Sequence, residues 1–126
     1  MRFKLGKQEK LKSRKLISQL FEEGQSVKKY PIKFNFLQTE HTSDFPVQVA
    51  FSVPKRVFKR AVDRNRIKRL MREAYRIQKY MLYDNVDRPF VVMITYIGQE
   101  EIKYQKLKMK MIEVVSLFLQ KLNYKE

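Results

Sequence analysis

The most constraining feature of this sequence is an apolar run of eight residues, FVVMITYI, at positions 90–97. The run is short for a helix and rich in β-branched residues, which favours a strand buried on both faces. A loop precedes it, because residues 84–89 combine two aspartates, an asparagine and a proline. The sequence therefore predicts that residues 90–97 form the central strand of a sheet.

Two earlier stretches predict the neighbours of that strand. Residues 32–36 and 47–53 alternate apolar and polar side chains, as half-buried strands do. Residues 26–29 predict a short edge strand, which Pro31 would end. A polar turn or loop at residues 38–44 separates the two longer strands, so they are interpreted as a hairpin.

The first helix is predicted behind a basic start. Residues 1–12 are expected to be mobile, and apolar residues then recur from Leu16 to Phe21 at helical spacing. Ser13 is suited to cap the first turn, and Gly24 to stop the helix at its C′ position.

Two longer helices follow. Pro54 ends the second long strand, and a helix is predicted from Ala61 or Asp63 to about Tyr80. From Glu101 onward, apolar residues recur at the spacing of a long amphipathic helix. The order is helix, two or three strands, helix, strand, helix. This predicts one domain over residues 1–126, an α+β two-layer sandwich with helices on a small mixed sheet.

Positive charge dominates the composition and is concentrated in one segment. The 126 residues include 28 Lys and Arg against 13 Asp and Glu, a formal charge of +15. Residues 52–79 hold eleven of these bases and only two acids, a net charge of +9. Like charges one helical turn apart repel each other, so a polyanionic partner is expected. The alternative is a solvated basic face that serves only solubility.

The basic helix favours RNA as that partner. On a helical wheel, one flank carries Asn65 and the bases Arg64, Lys68, Arg69, Arg72, Arg76 and Lys79, and the opposite arc is apolar. Arginine grips phosphate bidentately and stacks on bases. DNA remains an alternative, but no helix-turn-helix pattern or dimerising heptad accompanies the helix.

The sequence disfavours several other classes of protein. The chain has no cysteine, which excludes disulfides and thiolate zinc sites. No apolar run is long enough to cross a bilayer, so a soluble, cytoplasmic protein is expected. His41 is the only histidine and the aspartates are scattered, so neither a catalytic constellation nor a protein-held metal is expected.

The sequence resembles one known family at the start of the basic helix. Arg64-Asn65-Arg66, followed by KRLMRE at 68–73 and preceded by FSVPKR at 51–56, is similar to the protein subunit of bacterial ribonuclease P. The resemblance runs from about Lys10 to Leu122. It implies the order αββαβα, with a left-handed β-α-β crossover instead of the usual right-handed one.

The resemblance also implies a function. In that family an endonuclease removes the 5′ leader of precursor tRNA, and a large RNA subunit performs the hydrolysis with Mg²⁺. The protein is an accessory subunit, here expected to be monomeric within the holoenzyme and to bind no cofactor alone. The implied contacts to the catalytic RNA are Lys55, Arg56, Arg60, Arg64, Asn65, Arg66, Lys68, Arg69 and Arg72. The implied leader cleft, between the first helix and the sheet, contains Phe21, Lys33 and Asn35.

This chain departs from the family pattern in places, and two rival functions stay open. The family commonly has an aromatic residue where Ile17 stands, a tyrosine at the position of Asn35, and a glycine within residues 57–59. A general or ribosome-associated RNA-binding protein would share the basic helix but would not prefer precursor tRNA over mature tRNA. A protein-only nuclease would need the acid or histidine cluster that the sequence lacks.

Overall fold

The computed structural model describes residues 5–41 and 44–123. Four strands and four helices follow a short 3₁₀ turn at Lys7–Glu9. In chain order they are α1 (Arg14–Glu23), β1 (Gln25–Lys29), β2 (Ile32–Gln38), β3 (Val47–Ser52), α2 (Ala61–Arg76), α3 (Lys79–Tyr83), β4 (Phe90–Tyr96) and α4 (Tyr104–Asn123).

The strands form one mixed sheet in the order β1-β2-β4-β3. β4 lies between β2, to which it is antiparallel, and β3, to which it is parallel. This confirms the central, doubly buried strand. The parallel pair makes β3-α2-β4 a β-α-β crossover, whose left hand stays a prediction.

The predicted hairpin of β2 and β3 is wrong. β2 forms its hairpin with β1, through Tyr30 and Pro31, and β3 pairs with β4 on the far side. Alternating side chains identify a strand and its buried face, but the same pattern fits any neighbour. Of the four strands in the described part of the chain, only β4 is apolar on both faces, so it takes the position between β2 and β3.

Helices cover both faces of the sheet. α2 and α4 pack over the face that carries Phe34, Phe36 and Ile94, where most of the core lies. α1 packs on the opposite face, with Leu20 against Val91 and Met93. The α+β class with one small mixed sheet is confirmed, and α1 adds a partial third layer to the predicted two.

The start of the chain differs from the mobile segment expected for residues 1–12, of which residues 1–4 lie outside the described part. Lys10 forms a parallel bridge to Val49, and the Leu11 amide donates to the Val49 carbonyl at 2.9 Å. Glu9 and Leu11 are buried. Residues 9–11 therefore pair with the outer edge of β3. The many charges of this segment suggested a mobile start, and the burial of Glu9 and Leu11 was not predicted.

The second helix is shorter than predicted. α2 ends at Arg76, and α3 begins at Lys79 after a break at Ile77 and Gln78. The Gln78 side chain donates to the Ala74 carbonyl at 3.1 Å and so satisfies one of the last carbonyls of α2. The break turns Lys79 into the interior, away from the basic flank on which the helical wheel placed it.

Gly24 ends α1, as predicted, but for a different reason. Its φ of −76° is one that any residue adopts, so no left-handed conformation requires glycine. The reason is space, because an added Cβ would lie 2.3 Å from the Leu20 carbonyl oxygen and 2.9 Å from that of Phe36. Both are backbone atoms, so either α1 or β2 would have to shift.

We expect Gly24→Ala to lower the free energy of unfolding by about 1–3 kcal/mol, the usual cost of overpacking, in urea titrations. Gly6→Ala is the matched control, because its Cβ would meet nothing nearer than Glu9 Oε1 at 3.6 Å. That control should change stability by less than about 0.5 kcal/mol. Equal stabilities for the two variants would contradict the steric explanation.

Candidate nucleic-acid interface

The predicted RNA-binding residues begin in the turn before α2. The amides of Val57 and Phe58 both approach the Pro54 carbonyl, which bends the chain. Arg64, in the first turn of α2, then donates from Nη1 to the carbonyls of Phe58 and Lys59, at 2.8 Å each. The exposed Lys55 and Arg56 lie in this turn, which Arg64 fastens to the helix.

The apolar arc of α2 decides which side chains face outward. Ile67, Met71 and Ala74 are buried in the core. The opposite side carries a groove of about 640 Å³, lined by Val62, Asn65, Arg66, Lys68, Arg69 and Arg72. Five of these six belong to the predicted set, so the structure brings the middle of that set together.

Aromatic packing holds one of these arginines. The guanidinium carbon of Arg72 lies 5.8 Å from the centre of the Phe51 ring. Phe51 in turn meets Tyr75 edge-on, at 5.9 Å between ring centres. Phe51, on β3, is half-buried. Its ring supports Arg72 at the surface through a cation–π contact.

Some of the cations are neutralised within the protein. Asp63 accepts hydrogen bonds from Arg60 and Arg66, and Arg66 also pairs with Glu101. These contacts lower the pKa of Asp63, through Arg60 first, and that of Glu101, through Arg66. Both acids are therefore ionised at neutral pH. Arg76 similarly pairs with Glu73.

The remaining cations of the predicted set have no such compensation. Within residues 5–41 and 44–123, none of them forms an ion pair with a carboxylate. They are Lys55, Arg56, Arg64, Lys68, Arg69 and Arg72. All six are exposed or half-buried, so their charge faces solvent around one helix.

The predicted cleft residues lie on the other side of the sheet. Lys33 and Asn35 alternate with the buried Phe34, so they face the side on which α1 packs. Phe21, on α1, is 57% exposed, which excludes it from the core. The structure thus places Phe21, Lys33 and Asn35 on the same side of the sheet.

Sequence reasoning missed a further lysine on that side. In the β1–β2 hairpin, Lys28 lies directly opposite Lys33, and Ser26 opposite Asn35. Like charges directly opposite each other destabilise a sheet, so this pair favours an anion nearby. The sequence could have predicted this pair, since a two-residue turn at Tyr30-Pro31 fixes the register of β1 and β2.

A buried polar cluster was also missed. Lys79 Nζ lies 2.9 Å from Glu9 Oε1, and the Tyr83 hydroxyl donates to Glu9 Oε2 at 2.7 Å. Each side chain of the ion pair is only 2–3% exposed. Lys79 therefore belongs to the interior and does not contribute to the basic surface.

The other candidate features carry no evident chemistry. In the described part of the chain, no group of three or more His, Asp or Glu side chains is placed to hold a metal ion. The ring of His41 approaches the Pro46 carbonyl at 3.5 Å. A second cavity, of about 570 Å³, includes three acids and one arginine in its lining and none of the predicted residues.

Comparison with known proteins identifies the family. The family model described as Ribonuclease P matches residues 5–118. The chain belongs to this family. A ribonuclease P protein component of Porphyromonas gingivalis is 43% identical over 83 residues, which cover 65% of this chain and 60% of that protein. That of Chlorobium phaeobacteroides is 41% identical over 105 residues, which cover 75% of this chain and 72% of that protein.

Solved structures of the same family share the fold. The RNase P protein of Staphylococcus aureus matches with a TM-score of 0.70 and 16% identity, over 86% of this chain and 94% of that one. The RNase P protein from Thermotoga maritima matches with a TM-score of 0.67 and 20% identity, over 85% and 94%. Among the described residues, no helix is both long and apolar enough to span a membrane.

Proposed function

We propose that this chain is the protein component of a ribonuclease P holoenzyme. It binds the catalytic RNA through α2 and the turn before it, and the 5′ leader of precursor tRNA on the α1 side of the sheet. The RNA subunit cleaves the leader, with Mg²⁺ held mainly by RNA. The protein acts in the cytoplasm as a monomer within the holoenzyme.

The observation that carries this proposal is the set of six uncompensated cations around α2. In a helix selected for stability alone, acids would be interspersed among these cations. In α2, Asp63 and Glu73 do this only for other arginines, Arg60 and Arg76 among them. Binding to phosphates releases counterions and relieves the repulsion. The carbonyls of the turn hold Arg64 and the Phe51 ring supports Arg72 before RNA arrives, which reduces the entropy that these two side chains lose on binding.

The proposed leader site lies on the α1 side of the sheet. Lys28 and Lys33 together supply two positive charges beside Asn35. The exposed ring of Phe21 is available to stack on a base, a contact worth roughly 1–3 kcal/mol. A single strand with phosphates and unpaired bases matches this combination. The same protein thereby contacts both RNAs and lowers the repulsion between them.

The decisive experiment measures release of the 5′ leader by a bacterial ribonuclease P RNA at low Mg²⁺, with and without this protein. We expect cleavage at the mature 5′ end that depends on the protein, because added cations replace the missing Mg²⁺ charge. In parallel, affinity for that RNA should fall with salt, with a log–log slope of about −4 to −5 for six phosphate contacts.

Mature tRNA is the matched control in the same assay. A leader site predicts that the holoenzyme binds precursor tRNA more tightly than mature tRNA. Equal affinity for both, without stimulated cleavage, would indicate a general RNA-binding protein instead. Cleavage by the nuclease-free protein alone would indicate a protein-only nuclease.

A further inference from the structure

The two arginines of Arg64-Asn65-Arg66 use their guanidinium groups differently. Arg66 donates from Nε to Glu101 Oε1 at 2.9 Å, and from Nη2 to Asp63 Oδ1 at 2.9 Å and to Glu101 Oε2. Asp63 also pairs with Arg60 at 3.0 Å. Two bases and two acids thus form one cluster with no net formal charge.

This geometry limits what Arg66 offers to RNA. A phosphate is gripped best by two parallel N–H donors on one edge of the guanidinium. In Arg66, the Nε–Nη2 edge is already bound to the Glu101 carboxylate. In Arg64, only Nη1 forms hydrogen bonds within residues 5–41 and 44–123, and its acceptors are neutral carbonyls. Arg64 therefore keeps both its charge and its Nε–Nη2 edge for a ligand.

Glu101 is placed to connect two helices. It precedes α4, and Arg66 lies in the second turn of α2, so their ion pair links α2 to the start of α4. Ile67, next to Arg66, is buried in the same core as Leu107 of α4. The pair therefore fixes the end of α2 that carries Asn65.

We propose that Arg66 is a positioning residue, held by Glu101, and that Glu101 removes its charge from the RNA-binding surface. This inference rests on the proposed function and refines its site. Phosphate binding then falls to cations such as Arg69, which has no carboxylate partner in the described part of the chain. Glu101 limits the attraction of this surface for RNAs that do not fit it.

The test counts phosphate contacts by the salt dependence of RNA affinity. Arg69→Ala should make the log–log slope shallower by about 0.7–0.9, the contribution of one phosphate contact. Arg66→Met should weaken binding, because it leaves Glu101 as an unpaired negative charge beside the groove. It should leave the slope unchanged, because Arg66 contacts no phosphate in this proposal. Glu101→Gln should make the slope steeper by about 0.7–0.9 and tighten binding about fivefold at 0.15 M salt.

The comparison of Arg66→Met with Arg69→Ala decides whether Arg66 contacts phosphate. If Arg66→Met makes the slope shallower to the same extent as Arg69→Ala, Arg66 contacts phosphate directly and the proposal is overturned. If Arg66→Met does not fold, Glu101→Gln decides, because an unchanged slope would overturn the proposal. A merely structural Glu101 would alter the unfolding midpoint without altering the slope.

The experiment is run with two RNAs, so that failure of the proposed function is recognised separately. With ribonuclease P RNA it tests the interface in its expected complex. With an unrelated RNA duplex it tests the charge on the same surface, whatever the native partner is. Tighter binding of Glu101→Gln to the unrelated duplex supports the proposal even if the chain shows no preference for ribonuclease P RNA.

Discussion

Glu9→Ala is expected to lower the free energy of unfolding by about 3–5 kcal/mol, the cost of breaking a buried ion pair by removing one partner. The ammonium group of Lys79 would stay buried without its counter-charge. The Tyr83 hydroxyl would also lose its acceptor, now at 2.7 Å. Urea titration of the purified protein measures the loss directly.

The contacts of Glu9 explain why the effect should be large. Oε1 accepts from Lys79 and from the backbone amide of Gly6, both at 2.9 Å, and Oε2 accepts from Tyr83. The carboxylate is thus satisfied on both oxygens in a buried site. The cluster also anchors residues 6–11, of which Lys10 and Leu11 pair with the edge of β3.

Two further variants separate charge from packing. Lys79→Met should be destabilising on the same scale, because it leaves the Glu9 carboxylate buried without a cation. The double variant Glu9→Leu/Lys79→Met should recover much of the loss, since a pair of apolar side chains needs no counter-charge. If each single change cost less than about 1 kcal/mol, the pair would behave as a surface ion pair, and the buried arrangement would be wrong.

The pH dependence of stability provides a check on the same pair. Burial by itself raises the pKa of Glu9, but hydrogen bonds from Lys79, Gly6 and Tyr83 outweigh it and lower the pKa below 4.5. A lowered folded-state pKa stabilises the fold above the unfolded value. This contribution is lost as the pH falls from about 4.5 through the folded-state pKa. Glu9→Ala should therefore show a weaker loss of stability in acid.

The sequence predicted the elements of this fold better than their partners. The apolar run of β4 and the amphipathic pattern of α4 are local, and both were confirmed. The choice of β1 as the hairpin partner of β2 was missed, although its turn is local too. The inward position of Lys79 depends on Glu9, 70 residues earlier, and no local pattern encodes that pairing.

The same distinction applies to the candidate interface. Charge concentration identified α2, and the resemblance identified the residues, because both signals lie within one short segment. Charge compensation was not predictable, since Glu101 reaches Arg66 across 35 residues of sequence. Counting bases alone therefore overstates the charge that this helix presents, and the ion pairs of the folded chain correct the count.

Simultaneous replacement of Lys68, Arg69 and Arg72 by alanine is expected to weaken binding to ribonuclease P RNA by about two orders of magnitude at 0.15 M salt. Each lost phosphate contact should also make the log–log salt slope shallower by about 0.7–0.9, so the total change is about 2–3. The fold should be retained, because none of the three belongs to the buried arc of α2. Filter binding across a salt series measures both quantities.

The control is a variant with the same change in net charge at scattered sites. Lys12, Lys29 and Lys106 are exposed, and they lie before α1, at the end of β1 and on α4. Replacing these three by alanine should weaken binding far less, because only the total charge changes and not the cations fixed beside the groove. Equal losses in the two triple variants would mean that RNA responds to net charge alone. A larger loss for the α2 variant would follow from the position of its cations, because the buried arc of α2 turns all three outward and the Phe51 ring supports Arg72.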